Sequence, residues 1–184
     1  MKRWHLILLI IFILAPAVFG MGEKPAKENL NMDEQKSGLT ISSPAFKDQE
    51  FIPVKYSCDG ENINPQLIIQ NIPTGTKSLA LIVDDPDALR GTFTHWVLFN
   101  ILPQLKQIEE NATPPGSLQG KNGAGSSKYT GPCPPPGKIH HYYFKLFALD
   151  TILDLKEGIS KADLERSIQA HILAQTSLVG LYKR

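Results

Sequence analysis

From Leu39 onward the chain alternates short apolar runs with turn-forming residues, which is the pattern of strands rather than of long helices. Residues 41–46, 51–56 and 67–72 have the length and composition of strands. Pro53 assigns the second to a sheet edge, because proline lacks the N–H that a central strand must donate. Three later runs, 78–83, 95–101 and 142–149, are almost unbroken in apolar residues, as expected of strands covered on both faces. They are expected at the centre of the fold. Ser160 followed by Asp163 has the form of a capping box, and Leu164, Ile168 and Ile172 recur at helical spacing, which predicts a helix reaching about Ala174. A last short strand is expected at 177–182. The architecture that uses every segment is mainly β: a two-sheet β-sandwich with a C-terminal helix.

The first twenty residues follow a different pattern. Lys2, Arg3 and His5 precede an unbroken apolar run at 6–14, and small residues follow at 15–20, where a signal peptidase could cut. The run is shorter than the roughly 20 apolar residues of a bilayer-spanning helix, so residues 1–20 read as a cleaved secretory signal, with a retained N-terminal anchor as the alternative. Residues 21–38 are rich in Glu, Lys, Asn, Asp, Gln and Ser and read as a flexible leader. The folded domain is then 39–184, and the expected location is periplasmic or secreted.

The composition narrows the choice of function. With 184 residues, 42% of them apolar, the chain can bury one real core, and its 14 glycines and 14 prolines call for many turns. A formal net charge of +1 with scattered Lys and Arg does not resemble a nucleic-acid interface.

Three segments concentrate ionisable residues. Asp84-Asp-Pro-Asp87 follows a core strand and places three carboxylates within four residues, which repel one another unless compensated. Asp and Pro are also ordinary turn formers. Thr94-His-Trp96 opens the next core strand. The third segment, Gly131 to Gly137 followed by His140 and His141, begins in a stretch (113–137) made almost wholly of Pro, Gly, Ser, Asn, Thr and Lys. That stretch is far longer than the usual connection of about 4–6 residues. A Pro-rich segment is stiff and suits a pocket wall, though a rigid spacer has the same composition. Carboxylates and histidines alike lie at ends of the expected core strands.

In order and spacing, Asp85-Pro-Asp-Ala88, Thr94-His-Trp96, Gly131-Pro-Cys-Pro-Pro135, His140 and Tyr142 resemble the signature of the phosphatidylethanolamine-binding protein family. The similarity is to its bacterial, Raf kinase inhibitor-like branch. Cys58-Asp-Gly-Glu-Asn62, Pro73-Thr-Gly-Thr-Lys77 and Leu178-Val-Gly-Leu-Tyr182 extend it from about Leu39 to the C-terminus. The resemblance implies a two-sheet antiparallel β-sandwich with a small anion-binding pocket. Its ligand-binding positions would be Asp85, Asp87, His95, Gly131, Pro132, Cys133, Pro134, Pro135, His140 and Tyr142. Two departures stand out: Leu89 where most members have Pro, and Ile69 where many have Trp. The chain also ends in a strand-like Leu-Tyr-Lys-Arg rather than a regulatory helix, and kinase inhibition is not transferred to an exported protein.

The expected function is binding of a phosphoryl or other anionic head group without catalysis, with modulation of an unidentified protein partner as an extension. Asp85 and Asp87 would either hold His95 or His140 protonated against the anion or accept an ethanolamine-like ammonium, with Tyr142 and main-chain N–H groups as further donors. Two other readings stay open. One is a protease or other enzyme inhibitor presenting the Pro-rich loop; the other is a hydrolase using an Asp/His pair, although no Gly-x-Ser-x-Gly elbow occurs. A metal site from Asp85, Asp87, His95 and His140 is chemically feasible but lacks the close His spacing such sites favour, and no motif asks for a cofactor. The only two cysteines, Cys58 and Cys133, are expected to form a disulfide in an oxidising compartment; two buried thiols are the alternative.

Overall fold

The computed structural model describes residues 38–184. The expected signal and nearly all of the expected leader lie outside the described residues. Nine strands and one helix follow in the order β1 (Thr40–Ser42), β2 (Glu50–Phe51), β3 (Leu67–Gln70), β4 (Ser78–Asp85), β5 (Phe93–Ile101), β6 (Gln107–Ile108), β7 (Leu118–Gln119), β8 (His140–Leu149), α1 (Lys161–Ile168) and β9 (Ile172–Tyr182).

They form two sheets, a small one in the order β1-β3-β6 and a large one in the order β2-β9-β8-β4-β5-β7. All pairings are antiparallel except β2 with β9, where Glu50 lies beside Gly180 and Phe51 beside Leu181. β2 is an edge strand, and Pro53 lies two residues past its end, where its missing N–H costs nothing.

Strands β4 and β5 of the large sheet are buried on both faces, which explains their unbroken apolar runs, whereas the outward residues Tyr143, Lys145 and Phe147 of β8 are half-buried. On the inner face Leu79, Leu81 and Val83 of β4 pack with Trp96, Leu98, Phe144 and Leu146 against Leu67 and Ile69 of the small sheet. On the outer face Ala80 and Ile82 pack with Val97 and Phe99 beneath Leu164 and Ile168 of α1. Burying each of the two helix side chains stabilises the fold by roughly 1.5–3 kcal/mol. The capping box is formed: Asp163 N–H donates to Ser160 Oγ at 3.1 Å, and Ser160 N–H donates to Asp163 Oδ2 at 3.4 Å.

Three expectations need correction. Residues 41–46 are not one strand, since β1 ends at Ser42 and the chain bends at Pro44 and Ala45. The helix ends at Ile168, not near Ala174, because Ile172 pairs with Leu149 and the chain is recruited as the eleven-residue strand β9 along β8. Residues 51–56 are not one strand, since β2 ends at Phe51 and a single 3₁₀ turn covers Val54–Tyr56. Ile69, one of the two departures, is fully buried in the inner core. Among the described residues no helix is long and apolar enough to cross a membrane.

Candidate functional site

The carboxylates at the end of β4 do not confront one another, because the strand's alternation sends neighbours to opposite faces. Asp84, 1% exposed, lies on the outer face. It accepts from Lys161 Nζ at 2.7 Å, Lys145 Nζ at 3.0 Å and Thr94 Oγ1 at 3.0 Å. Asp85, 4% exposed, lies on the inner side, where its Oδ2 accepts from His140 Nδ1 at 2.8 Å and its Oδ1 from the Asp87 N–H at 2.8 Å. Asp87 turns to a third partner and holds the backbone N–H and the Nδ1 of His141 at 2.9 and 2.7 Å. That contact to the His141 side chain holds the Asp87 carboxyl below its ordinary value.

His95 is aimed by a break in the ladder. Val83 pairs with Trp96 but Asp84 pairs with Thr94, so His95 is the extra residue of a β-bulge, a device that redirects a side chain. Its Nδ1 lies 2.6 Å from the Thr130 carbonyl oxygen and its Nε2 is buried with no hydrogen-bond partner. Burial pushes the imidazole below its ordinary value of 6.5. The ring meets Phe93 at 4.8 Å and Tyr142 at 5.1 Å, both edge-on. The Tyr142 hydroxyl is likewise buried and unpartnered, and its pKa is raised, first by burial and then by the Asp85 carboxylate.

The Pro-rich wall is fastened to the loop carrying Cys58. Cys58 and Cys133 form a disulfide with an S–S distance of 2.00 Å. Beside it, Gly131 N–H donates to Asn62 Oδ1 at 2.7 Å, Cys58 N–H donates to the Pro132 carbonyl at 3.0 Å, and Tyr129 Oη donates to the Tyr56 carbonyl at 3.1 Å. Gly131 is required by this approach, since a Cβ there would stand 2.2 Å from the Tyr56 carbonyl oxygen.

These elements enclose a cavity of about 570 Å³. Asp85, His95 and His140 line its polar floor, and Gly131, Cys133, Pro134 and Pro135 form one wall. Three of the residues suggested by the resemblance stand off the lining: Asp87 is engaged with His141, Pro132 is turned to Cys58, and Tyr142 is buried behind His95. Arg90, Phe93 and Thr130 belong to the lining although sequence reasoning did not select them. Their one signal was proximity in sequence to the chosen motifs. Leu89, the other departure, is 82% exposed at the cavity mouth. Of the four residues considered for a metal, Asp85 and His140 bond to each other and Asp87 turns to His141, and among the described residues no group of three or more His, Cys, Asp or Glu is placed to hold one.

The family model described as phosphatidylethanolamine-binding protein matches residues 42–183. The chain belongs to the phosphatidylethanolamine-binding protein family. It is 48% identical to a UPF0098 protein of Methanothermobacter thermautotrophicus over 79% of this chain and 99% of that one. It is 45% identical to one from Pyrococcus horikoshii over 96% and 89%. Among solved structures, a phosphatidylethanolamine-binding protein homologue of Chlamydia trachomatis superposes with a TM-score of 0.77 at 38% identity, covering 80% of this chain and 99% of that one. Escherichia coli YbcL, described as a member of the mammalian family, gives 0.75 at 30% identity, covering 79% and 98%. Membership agrees with the mainly β, two-sheet fold and its single helix.

Proposed function

We propose that this member of the family is an exported binding protein that takes a phosphoryl or similar anionic head group in the cavity and releases it unaltered. One observation carries the reading: the floor carboxylate is already engaged. Both oxygens of Asp85 accept hydrogen bonds, from His140 and from the Asp87 N–H, so it does not face a ligand as a free carboxylate would. Arg90 lines the cavity and supplies a permanent positive charge. With His140 Nδ1 committed to Asp85, Nε2 is the ring nitrogen left for the ligand.

His95 contributes an acceptor rather than a charge, since its Nδ1–H is spent on Thr130. The set of donors and acceptors thus suits a zwitterionic group such as phosphoethanolamine, whose ammonium can donate to His95 Nε2 while its phosphoryl meets Arg90 and His140. Leu89, Phe93, Pro134 and Pro135 give the cavity an apolar side for whatever the head group is attached to. Binding is favoured over hydrolysis because Cys133, the cysteine closest to His140 in sequence, is held in the disulfide and offers no thiolate. That same bridge, with the basic and apolar N-terminal segment, supports export followed by cleavage near residue 20.

Calorimetric titration with phosphate and phosphoethanolamine between pH 5 and 8 is the test. Binding that weakens in Arg90→Ala and His140→Ala is the expected result. No binding of either compound, or equal binding in both variants, would move the site elsewhere, and turnover of a phosphoester that is lost in Asp85→Ala would make the protein an enzyme.

A further inference from the structure

A second cavity, of about 200 Å³, adjoins the loop that forms the wall of the first. Lys128 and Tyr129 line it, while the next two residues, Thr130 and Gly131, line the first. Hydrogen bonds inside the protein decide what it offers a ligand. Trp96 Nε1–H can only donate, so its bond of 2.8 Å to Gln119 fixes Oε1 as the inward end of that amide. The Gly131 N–H, another obligate donor, fixes Asn62 Oδ1 in the same way at 2.7 Å. Both amides line the cavity, and each keeps an NH2 group with no acceptor among the described residues. Asn64, beside them, is fully consumed: its Oδ1 accepts from the Ala112 N–H and its Nδ2 donates to the Pro65 and Glu109 carbonyls.

The charge is equally one-sided. Lys128 brings an exposed ammonium that no carboxylate pairs with among the described residues. No described Asp or Glu lines the cavity, and Glu110, next to Asn111, is held by Lys55 and Tyr56.

We propose that this cavity binds a small organic monocarboxylate, independently of the head-group site. Two amide NH2 groups and one ammonium around so small a space, with no anion among them, call for a group that only accepts. A single positive charge matches a carboxylate, whereas a phosphate dianion would be left half neutralised. Trp96 and Ile63 supply an apolar surface for the carbon chain. The internal bonds of Gln119 and Asn62 hold both donors in place before the ligand arrives, which lowers the cost of binding.

Replacing Trp4 with Phe leaves Trp96 as the only tryptophan of the full chain, so its fluorescence reports on this cavity. Titration with propionate is expected to change that emission and to saturate; propionamide, which has the same shape without the charge, should leave it unchanged. Gln119→Glu and Asn62→Asp are the decisive variants. Each keeps the oxygen that accepts the internal bond and turns the free NH2 into an anionic oxygen, so the fold stands while propionate affinity should fall by at least about tenfold, the worth of one charge-assisted hydrogen bond. Lys128→Gln should weaken binding by a smaller factor, because the ammonium is exposed. No response to propionate overturns the proposal. A response that survives both decisive variants also overturns it, and its loss in Arg90→Ala would assign it to the first cavity. The head-group reading is judged separately, by the calorimetry with phosphate and phosphoethanolamine.

Discussion

His95 and Thr130 are tied in both directions: the Thr130 N–H donates to the His95 carbonyl at 3.0 Å, and His95 Nδ1 donates to the Thr130 carbonyl at 2.6 Å. A carbonyl oxygen can only accept, so the proton sits on Nδ1 and the buried Nε2 presents a lone pair. The bulge that turns His95 and the loop that forms the wall are thereby held together at one point.

This tie has a pH signature. Because burial holds the His95 imidazole below 6.5 in the folded protein, the unfolded chain takes up a proton first as the pH falls. Stability from this residue is complete above about pH 6.5, declines below it, and levels off once the pH has passed the folded-state value. Each full pK unit of depression corresponds to about 1.4 kcal/mol. His95→Asn keeps a donor for Thr130 but does not titrate, so the loss between pH 6.5 and 5 in urea denaturation should be smaller in the variant. A decline of the same size would assign it to another group.

Asp85→Ala should weaken phosphate binding, because His140 loses the group that orients its ring. A carboxylate that merely repelled the anion would give tighter binding instead, which makes the sign of the change the readout. The variant should also lose roughly 1–3 kcal/mol of stability, because the buried His140 Nδ1 is left without its acceptor. Titration is therefore to be run well below the variant's melting temperature.

Removing the disulfide with Cys58→Ser and Cys133→Ser opens a loop with a sequence separation of 75 residues. The chain-entropy argument puts the loss at about 4 kcal/mol. Chemical denaturation of the double variant measures it. Labelling of the unfolded, unreduced protein should find no free thiol.

Gly131→Ala tests how tightly the wall is fastened. The added Cβ would stand 2.2 Å from the Tyr56 carbonyl oxygen and 2.9 Å from Asn62 Oδ1, and backbone cannot yield as a flexible side chain can. A loss of about 1–3 kcal/mol or more is expected from thermal unfolding, together with weaker ligand binding as the wall moves. Unchanged stability and affinity would show that the wall is looser than this packing implies.

The sequence by itself determined the class of fold, its central strands and the motifs that surround the cavity. The apolar runs at 78–83, 95–101 and 142–149 became β4, β5 and β8; β4 and β5 are covered on both faces and have no polar face to display, while β8 carries its one charge, Lys145, on a half-buried outer face. The capping box at Ser160 was legible because its partners are three residues apart. Tertiary structure decided what depends on partners far along the chain. Ile172 fits a helical spacing, but its pairing with Leu149 makes it the start of a strand. Asp84, Asp85 and Asp87 look like one acidic cluster, yet Lys161, His140 and His141 draw them to three separate places. The bulge at His95, the grip of Asn62 on Gly131 and the presence of Arg90 in the lining arise only when the sheet has assembled, since local spacing holds no record of which distant groups will meet.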